Sequence, residues 1–317
     1  MFDFNRDGKG VNEIEDRTPN LKFFFKLWWR KMSKLLSLNL IMIFQIIPII
    51  VAFYLYFTGP TMATQTDPLF APLYGVHIFS GGSPVNTLLL AIHGIQFNVP
   101  AFNTPIVYVI IGLFAFLVLT FGWQNVGAAY VMRGLIRGES VFVISDFFYG
   151  IKKNFKQGFL LGLVDCLIIG VLVVDYLFFY TATQSLLMNV MYFAIFAICI
   201  IYLFMRFYIY LLSITFNLKI RKIIKNAFIF TMLGVKRNLM AAIGIIILAV
   251  INIFLYVILA PLGIVVPLIL PFLYFLAFAS FMTTYAAYPV IEKYMIAPYQ
   301  KENQNKNKAD EISSKDN

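Results

Sequence analysis

The chain has 317 residues, of which 61% are hydrophobic and 13% charged; its mean hydropathy is +0.81 and its formal net charge +10. A soluble domain of this size cannot hide so much apolar surface, and the continuity of the apolar runs excludes an outer-membrane barrel built from alternating ten-residue strands. The excess of bases, which in a soluble protein would point to nucleic acid, reads here as the basic girdle of a membrane protein, with the bilayer as partner and no nucleic acid expected.

Residues 1–20 are polar and are expected to form a cytoplasmic N-terminal stretch with no cleavable signal peptide. Within them DFNRDGKG (3–10) imitates the start of a calcium loop, with Asp3, Asn5, Asp7 and Gly8 at ligand-like spacing. The twelfth position is Ile14 where a bidentate Glu is required, so no metal is expected. LKFFFKLWWRKMSK (21–34) mixes bases with Phe and Trp, the composition of a helix lying in the cytoplasmic interface. A first span follows near 35–57, with Pro48 expected to bend it. Residues 58–104 form one long outer connection whose single charge is Asp67; it reads as a cap over the bundle or as a surface for a ligand or partner. The only histidines, His77 and His93, lie in it, too few and too far apart for a metal site.

The second span (105–126) is expected to continue beyond the bilayer through GAAYVMRGLIRGES, and SDFFYGIKKNFKQ (145–157) reads as a second interfacial helix. Spans near 158–180 and 186–206 form a hairpin with its tip near 181–185. LKIRKIIKNAFIF (218–230) is a third amphipathic segment, and spans near 239–260 and 264–284 form the last hairpin, with Pro267 and Pro271 expected to kink its second arm. Residues 21–298 are thus the membrane domain, and 299–317 a disordered cytoplasmic tail. The fold class is all-α: six transmembrane helices as three hairpins, each preceded by a cytoplasmic interfacial helix. A weak repeat accompanies this, with Arg30-Lys31-Met32, Lys152-Lys153-Asn154 and Lys236-Arg237-Asn238 at equivalent places.

Of the 25 Lys and Arg residues, all but Arg206 fall in blocks at 1–34, 133–156, 219–237 and 293–315, and the apolar runs set these blocks on one side of the membrane. Cationic loops stay cytoplasmic, which predicts a multi-pass protein of the cell membrane with both termini inside.

The candidate site residues are the charges left within the apolar runs. Asp165 and Asp175 lie in the third span and Arg206 near the end of the fourth; charges there are costly and seek partners. Asp165 and Arg206 differ in depth by one to two turns, on the order of 7 Å, which an Arg side chain spans. They form either a structural pair locking the two helices together or part of a solute path, whereas Asp175 sits near the outer end. Gly158 and Gly162 make a GxxxG that favours close packing. Cys166 and Cys199 lack metal-ligand spacing and read as apolar side chains. No HExxH, Walker A or GxSxG occurs, so no catalytic residues, no cofactor and no enzymatic activity are expected.

The segment GAAYVMRGLIRGESVFVISDFFYGIKKNFKQGFLLG (127–162) carries small residues, then Arg133, Arg137-Gly138-Glu139, Asp146-Phe147-Phe148 and the run Lys152, Lys153, Asn154, Phe155, Lys156. It resembles the hallmark segment of the YesL family of bacterial integral membrane proteins. TFNLKIRKIIKNAF (215–228) resembles that family's second cytoplasmic motif, with Asn217 where an acidic residue is usual, and FNRDGKGV (4–11) its N-terminal signature. The long loop at 58–104 departs from shorter members. The family has no settled biochemical activity, and its members are often encoded beside binding-protein-dependent carbohydrate importers. The resemblance therefore implies a non-enzymatic accessory protein of a carbohydrate ABC importer, with Arg133, Arg137, Glu139, Asp146, Lys152, Lys153, Asn154 and Lys156 as its partner surface. The alternative is a small-solute permease or channel in its own right, lined by the third and fourth spans.

Overall fold

The computed structural model describes residues 18–58, 61–63, 98–100, 105–181, 185–262, 264 and 266–300. The calcium-like segment, His77, His93, most of the long connection and the tail from 301 onward lie outside them. Among the described residues the regular elements are helices apart from one pair of three-residue strands. The helices are α1 (Leu21–Ile43), α2 (Ile47–Thr58), α3 (Pro105–Arg137), α4 (Val143–Lys153), α5 (Phe155–Thr181), α6 (Leu186–Thr215), α7 (Ile220–Leu233), α8 (Val235–Leu259) and α9 (Val266–Ile291). Strand β1 (Thr61–Ala63) pairs antiparallel with β2 (Asn98–Pro100), Thr61 opposite Pro100. Among the described residues, five stretches are long and apolar enough to cross a membrane: Pro105–Arg137, Phe155–Tyr180, Leu186–Thr215, Val235–Leu259 and Ile269–Gln300.

The chain divides into two compact units, residues 44–120 and the remainder. The first holds α2, the strand pair and the start of α3. The second holds α1, the rest of α3 and everything beyond, and all the candidate site residues.

The N-terminal region differs from expectation in two ways. Residues 21–34 are no separate interfacial helix: α1 runs unbroken through them to Ile43. Asn20 caps it, its Oδ1 accepting from the Phe23 amide at 2.8 Å. The span expected over 35–57 is instead divided by a turn at 44–46. Pro48 is the cause: it has no N–H for the Phe44 carbonyl, and its ring crowds that carbonyl. The repeat is correspondingly partial. Asn154 separates α4 from α5 and Gly234 separates α7 from α8, but nothing breaks the chain at Arg30-Lys31.

Two later helices overrun the expected limits. Helix α6 extends nine residues past Arg206, and α9 continues through Pro289 into a π-helical turn, Glu292–Ile296. Pro267 sits in the first turn of α9, where its missing N–H costs nothing, whereas Pro271 is internal. One turn on, the buried Asn39 of α1 bridges α9: its Nδ2 donates to the Phe272 carbonyl at 2.6 Å and its Oδ1 accepts from the Ala277 amide at 2.9 Å.

Helices α3 and α5 cross at backbone contact. A Cβ on Gly122 would fall on the Gly158 carbonyl oxygen and within 2.7 Å of the Gly162 Cα. The GxxxG of α5 is thus half of a three-glycine crossing, which brings the start of α5 against α3. Trp123 fastens the same place, donating from Nε1 to the Phe155 carbonyl at 2.9 Å while stacking on the Phe155 ring.

Candidate functional site

Two places gather the sequence-derived site residues. The first is an ion pair between α5 and α6. Asp165 is 1% exposed, and three donors from α6 converge on it. Tyr202 donates to Oδ1 at 2.7 Å, Arg206 Nε to Oδ2 at 3.1 Å, and the Tyr210 hydroxyl also to Oδ2. Tyr202, Arg206 and Tyr210 recur every fourth residue, so one helix face carries all three. That spacing was available in the sequence and identifies the two tyrosines that the charge count passed over. The carboxylate is saturated by donors, as a buried anion requires. Asp175, ten residues further along α5, takes no part.

Arg206 is held through one edge only. Among the described residues its one hydrogen bond is from Nε to Asp165; its guanidinium lies 5.3 Å from the centre of the Phe121 ring, and its side chain is 32% exposed. Arg206 also lines a cavity of about 390 Å³ between α3, α6, α8 and α9. Asn125, Tyr210, Ser280, Thr283 and Thr284 supply its other polar groups; Ala128, Leu203, Ala242 and Ile246 are part of its larger apolar wall. The Thr283 and Thr284 hydroxyls both donate to the Ser280 carbonyl, and Asn125 Nδ2 to the Phe121 carbonyl. Arg206 is therefore the cavity's strong donor, while the Thr hydroxyls and the Asn125 carbonyl offer lone pairs.

The second place is the corner joining α3, α4 and α5, which holds the eight residues named from the motif. These separate into inward and outward groups. Arg133 turns in: its Nη1 donates to the Ile214 carbonyl at 2.8 Å and to Thr215 Oγ1 at 3.3 Å, and it lies over the Tyr130 ring. A cation there satisfies an end carbonyl of α6 and complements the negative end of its dipole. Asp146 Oδ2 accepts from the Phe142 amide at 2.8 Å, closing the N-terminus of α4 in the manner of a capping box. Asn154 donates to the Gly150 carbonyl and ends α4. Gly138, at φ 75°, terminates α3: the amides of Gly138 and Glu139 return to the carbonyls of Leu135 and Gly134, a Schellman pattern. Lys34 reaches the corner from α1, donating to the Val141 carbonyl at 2.9 Å. Gln157 ties α5 to the Leu218 carbonyl at 2.6 Å.

The outward group is Arg137 and Glu139, paired at 3.1 Å, with Lys152, Lys153 and Lys156, all exposed. Phe142, Ile144 and Phe148 project beside them, Phe142 being 74% exposed. The corner is thus a rigid frame with a basic and aromatic outer face.

Residues 101–176 match the family described as "Protein of unknown function, DUF624". The DUF624 match covers α3, α4 and most of α5, including Asp165 and the whole corner. No curated protein and no solved structure matches the chain. The match ends before Arg206, Tyr202 and Tyr210, so the α6 half of the ion-pair site lies outside the matched segment. Among the described residues, no three His, Cys, Asp or Glu side chains gather where a metal ion could sit.

Proposed function

We propose that this chain is a non-enzymatic, multi-pass accessory protein of the bacterial cell membrane that acts by contact through the α3–α4–α5 corner. The single observation that carries the reading is the division of the motif. Arg133, Asp146, Asn154 and Gly138 hold the corner rigid, and Lys152, Lys153, Phe142 and Phe148 project from it. A preformed face of cations and aromatics is what a protein contact requires, because little ordering remains to be done on binding. The positive-inside rule directs this face, and both termini, to the cytoplasm. The YesL resemblance of 127–162 supplies the partner class, a carbohydrate ABC importer.

The test is site-specific photocrosslinking from position 148 in native membranes. Importer subunits should be captured by the wild type, and capture should fall at least about fivefold when Lys152 and Lys153 are reversed to Glu with the protein still inserted. Capture unaffected by the reversal, or no importer subunit captured, overturns the proposal.

The cavity beside Arg206 favours a second reading, a small-solute permease. Purified protein alone in liposomes would then move a solute, and Ala242→Phe, which fills the cavity, would slow it.

A further inference from the structure

We infer that the cavity between α3, α6, α8 and α9 is a binding site for one acidic phospholipid, whose phosphate oxygens accept from the free Nη edge of Arg206 while an acyl chain lies against the apolar wall. The inference stands apart from the accessory reading, since it concerns a different face of the chain.

Depth is the first argument. A hydrocarbon core of about 30 Å takes about 20 helical residues. Helix α6 has 30 residues, so a core entered at Leu186 is left near Met205. Arg206 therefore stands at the hydrocarbon boundary, where phosphates and glycerol esters lie, rather than at the bilayer centre. The remaining residues of α6 lead to the end that Arg133 caps.

The second argument is charge and hydrogen bonding. That end of the unit carries Arg133, Arg137, Lys152, Lys153, Lys219 and Arg221, and the potential they create gathers acidic lipids. Asp165 is satisfied by three donors and holds Arg206 by Nε alone, and Arg206 lines the cavity, so its two Nη groups are left as donors at the cavity wall. A guanidinium edge fits phosphate oxygens in bidentate fashion. The lone pairs of Asn125, Thr283 and Thr284 suit hydroxyl donors of a polyol headgroup.

The third argument is access. Leu203 and Ile246 line the cavity yet are 51% and 59% exposed, so its rim is open on an apolar flank. A lipid enters such an opening sideways and leaves its second chain in the bilayer.

Native mass spectrometry of the full chain in detergent tests this, with phosphatidylglycerol, phosphatidylcholine and glycerol 3-phosphate as the probes. One phosphatidylglycerol should be retained per chain, about tenfold more tightly than phosphatidylcholine, and only phosphatidylglycerol should raise the unfolding temperature. Arg206→Lys keeps the charge but loses the fork and should weaken retention about fivefold. Ala242→Phe fills the cavity and should abolish it. If Ala242→Phe does not fold, Ile246→Trp at the rim serves in its place. Equal retention of the two lipids, retention unchanged in the cavity-filling variant, or protection by glycerol 3-phosphate as strong as by the lipid each overturn the inference.

Discussion

Removing Arg206 from the Asp165 network should be more damaging than its exposure suggests, because the partner left behind is buried. Asp165 is 1% exposed and Arg206 32% exposed. Arg206→Met leaves a carboxylate with only the Tyr202 and Tyr210 hydroxyls as donors, in surroundings that water reaches poorly. Breaking a fully buried pair costs about 3–5 kcal/mol, and the remaining two donors together with the partial exposure of Arg206 place this case near the low end, about 3 kcal/mol. Asp165→Asn is milder, about 2 kcal/mol, because a freed Arg206 can reorient toward solvent while the amide oxygen still accepts one Tyr hydroxyl. In the double variant no charge remains uncompensated. Its loss should fall short of the sum of the single losses by about 1–2 kcal/mol. Tyr210→Phe measures one neutral donor to the same carboxylate and should cost about 1.5 kcal/mol. Reversible unfolding in mixed micelles, followed by steric trapping of α5 and α6, gives all four free energies. Strictly additive losses, or an Arg206→Met variant as stable as the wild type, would refute the electrostatic coupling and return these groups to a solute path.

Three further outcomes follow from the packing. Gly122→Ala places a methyl on the Gly158 carbonyl and should cost about 2 kcal/mol, with Gly170→Ala, which meets nothing within 4 Å, as the neutral control on α5. The unfolding free energies of the two variants decide it, and equal values would remove the three-glycine crossing. Asn39→Ala leaves the Phe272 carbonyl and the Ala277 amide without their side-chain partner, so it should cost about 2 kcal/mol and speed hydrogen exchange at 277 more than at 286. Arg133→Gln frees the end of α6: exchange should accelerate over 214–218 while 195–205 stays protected, and uniform acceleration would make the residue a general stabiliser instead.

Much of this architecture is written in periodicity and charge, and the departures have physical causes. The amphipathic patterns of 145–157 and 218–230 yield α4, with the first residues of α5, and α7 because one face of each is apolar and packs mainly on helices that precede it, α4 on α1 and α3 and α7 on α6. The GxxxG was readable, but its partner Gly122 was not, since a single glycine carries no period. The apolar run of the fourth span ends at the charge of Arg206. The helix continues because Tyr208, Tyr210, Ser213 and Thr215 find partners within the protein: Tyr208 donates to Asn238, and Ser213 and Thr215 to carbonyls of their own helix. Pro48 announces a bend in the first span, but composition alone does not tell a bend from the full division seen at 44–46. At the site, the charges were visible and the hydroxyls were not singled out, although Tyr202 and Tyr210 share the face of Arg206. The motif residues were visible too, but only hydrogen bonds separate Arg133, which closes a helix, from Lys152, which projects outward.

The account rests on the corner facing the cytoplasm, and cysteine accessibility measures that most directly. In a background lacking Cys166 and Cys199, a membrane-impermeant thiol reagent is applied to intact cells and to lysates carrying Ser140→Cys, Lys222→Cys, Thr183→Cys or Leu262→Cys. The account predicts labelling of Thr183→Cys and Leu262→Cys in intact cells, and of Ser140→Cys and Lys222→Cys only after lysis. Labelling of Ser140→Cys or Lys222→Cys in intact cells would place the basic corner outside and contradict it.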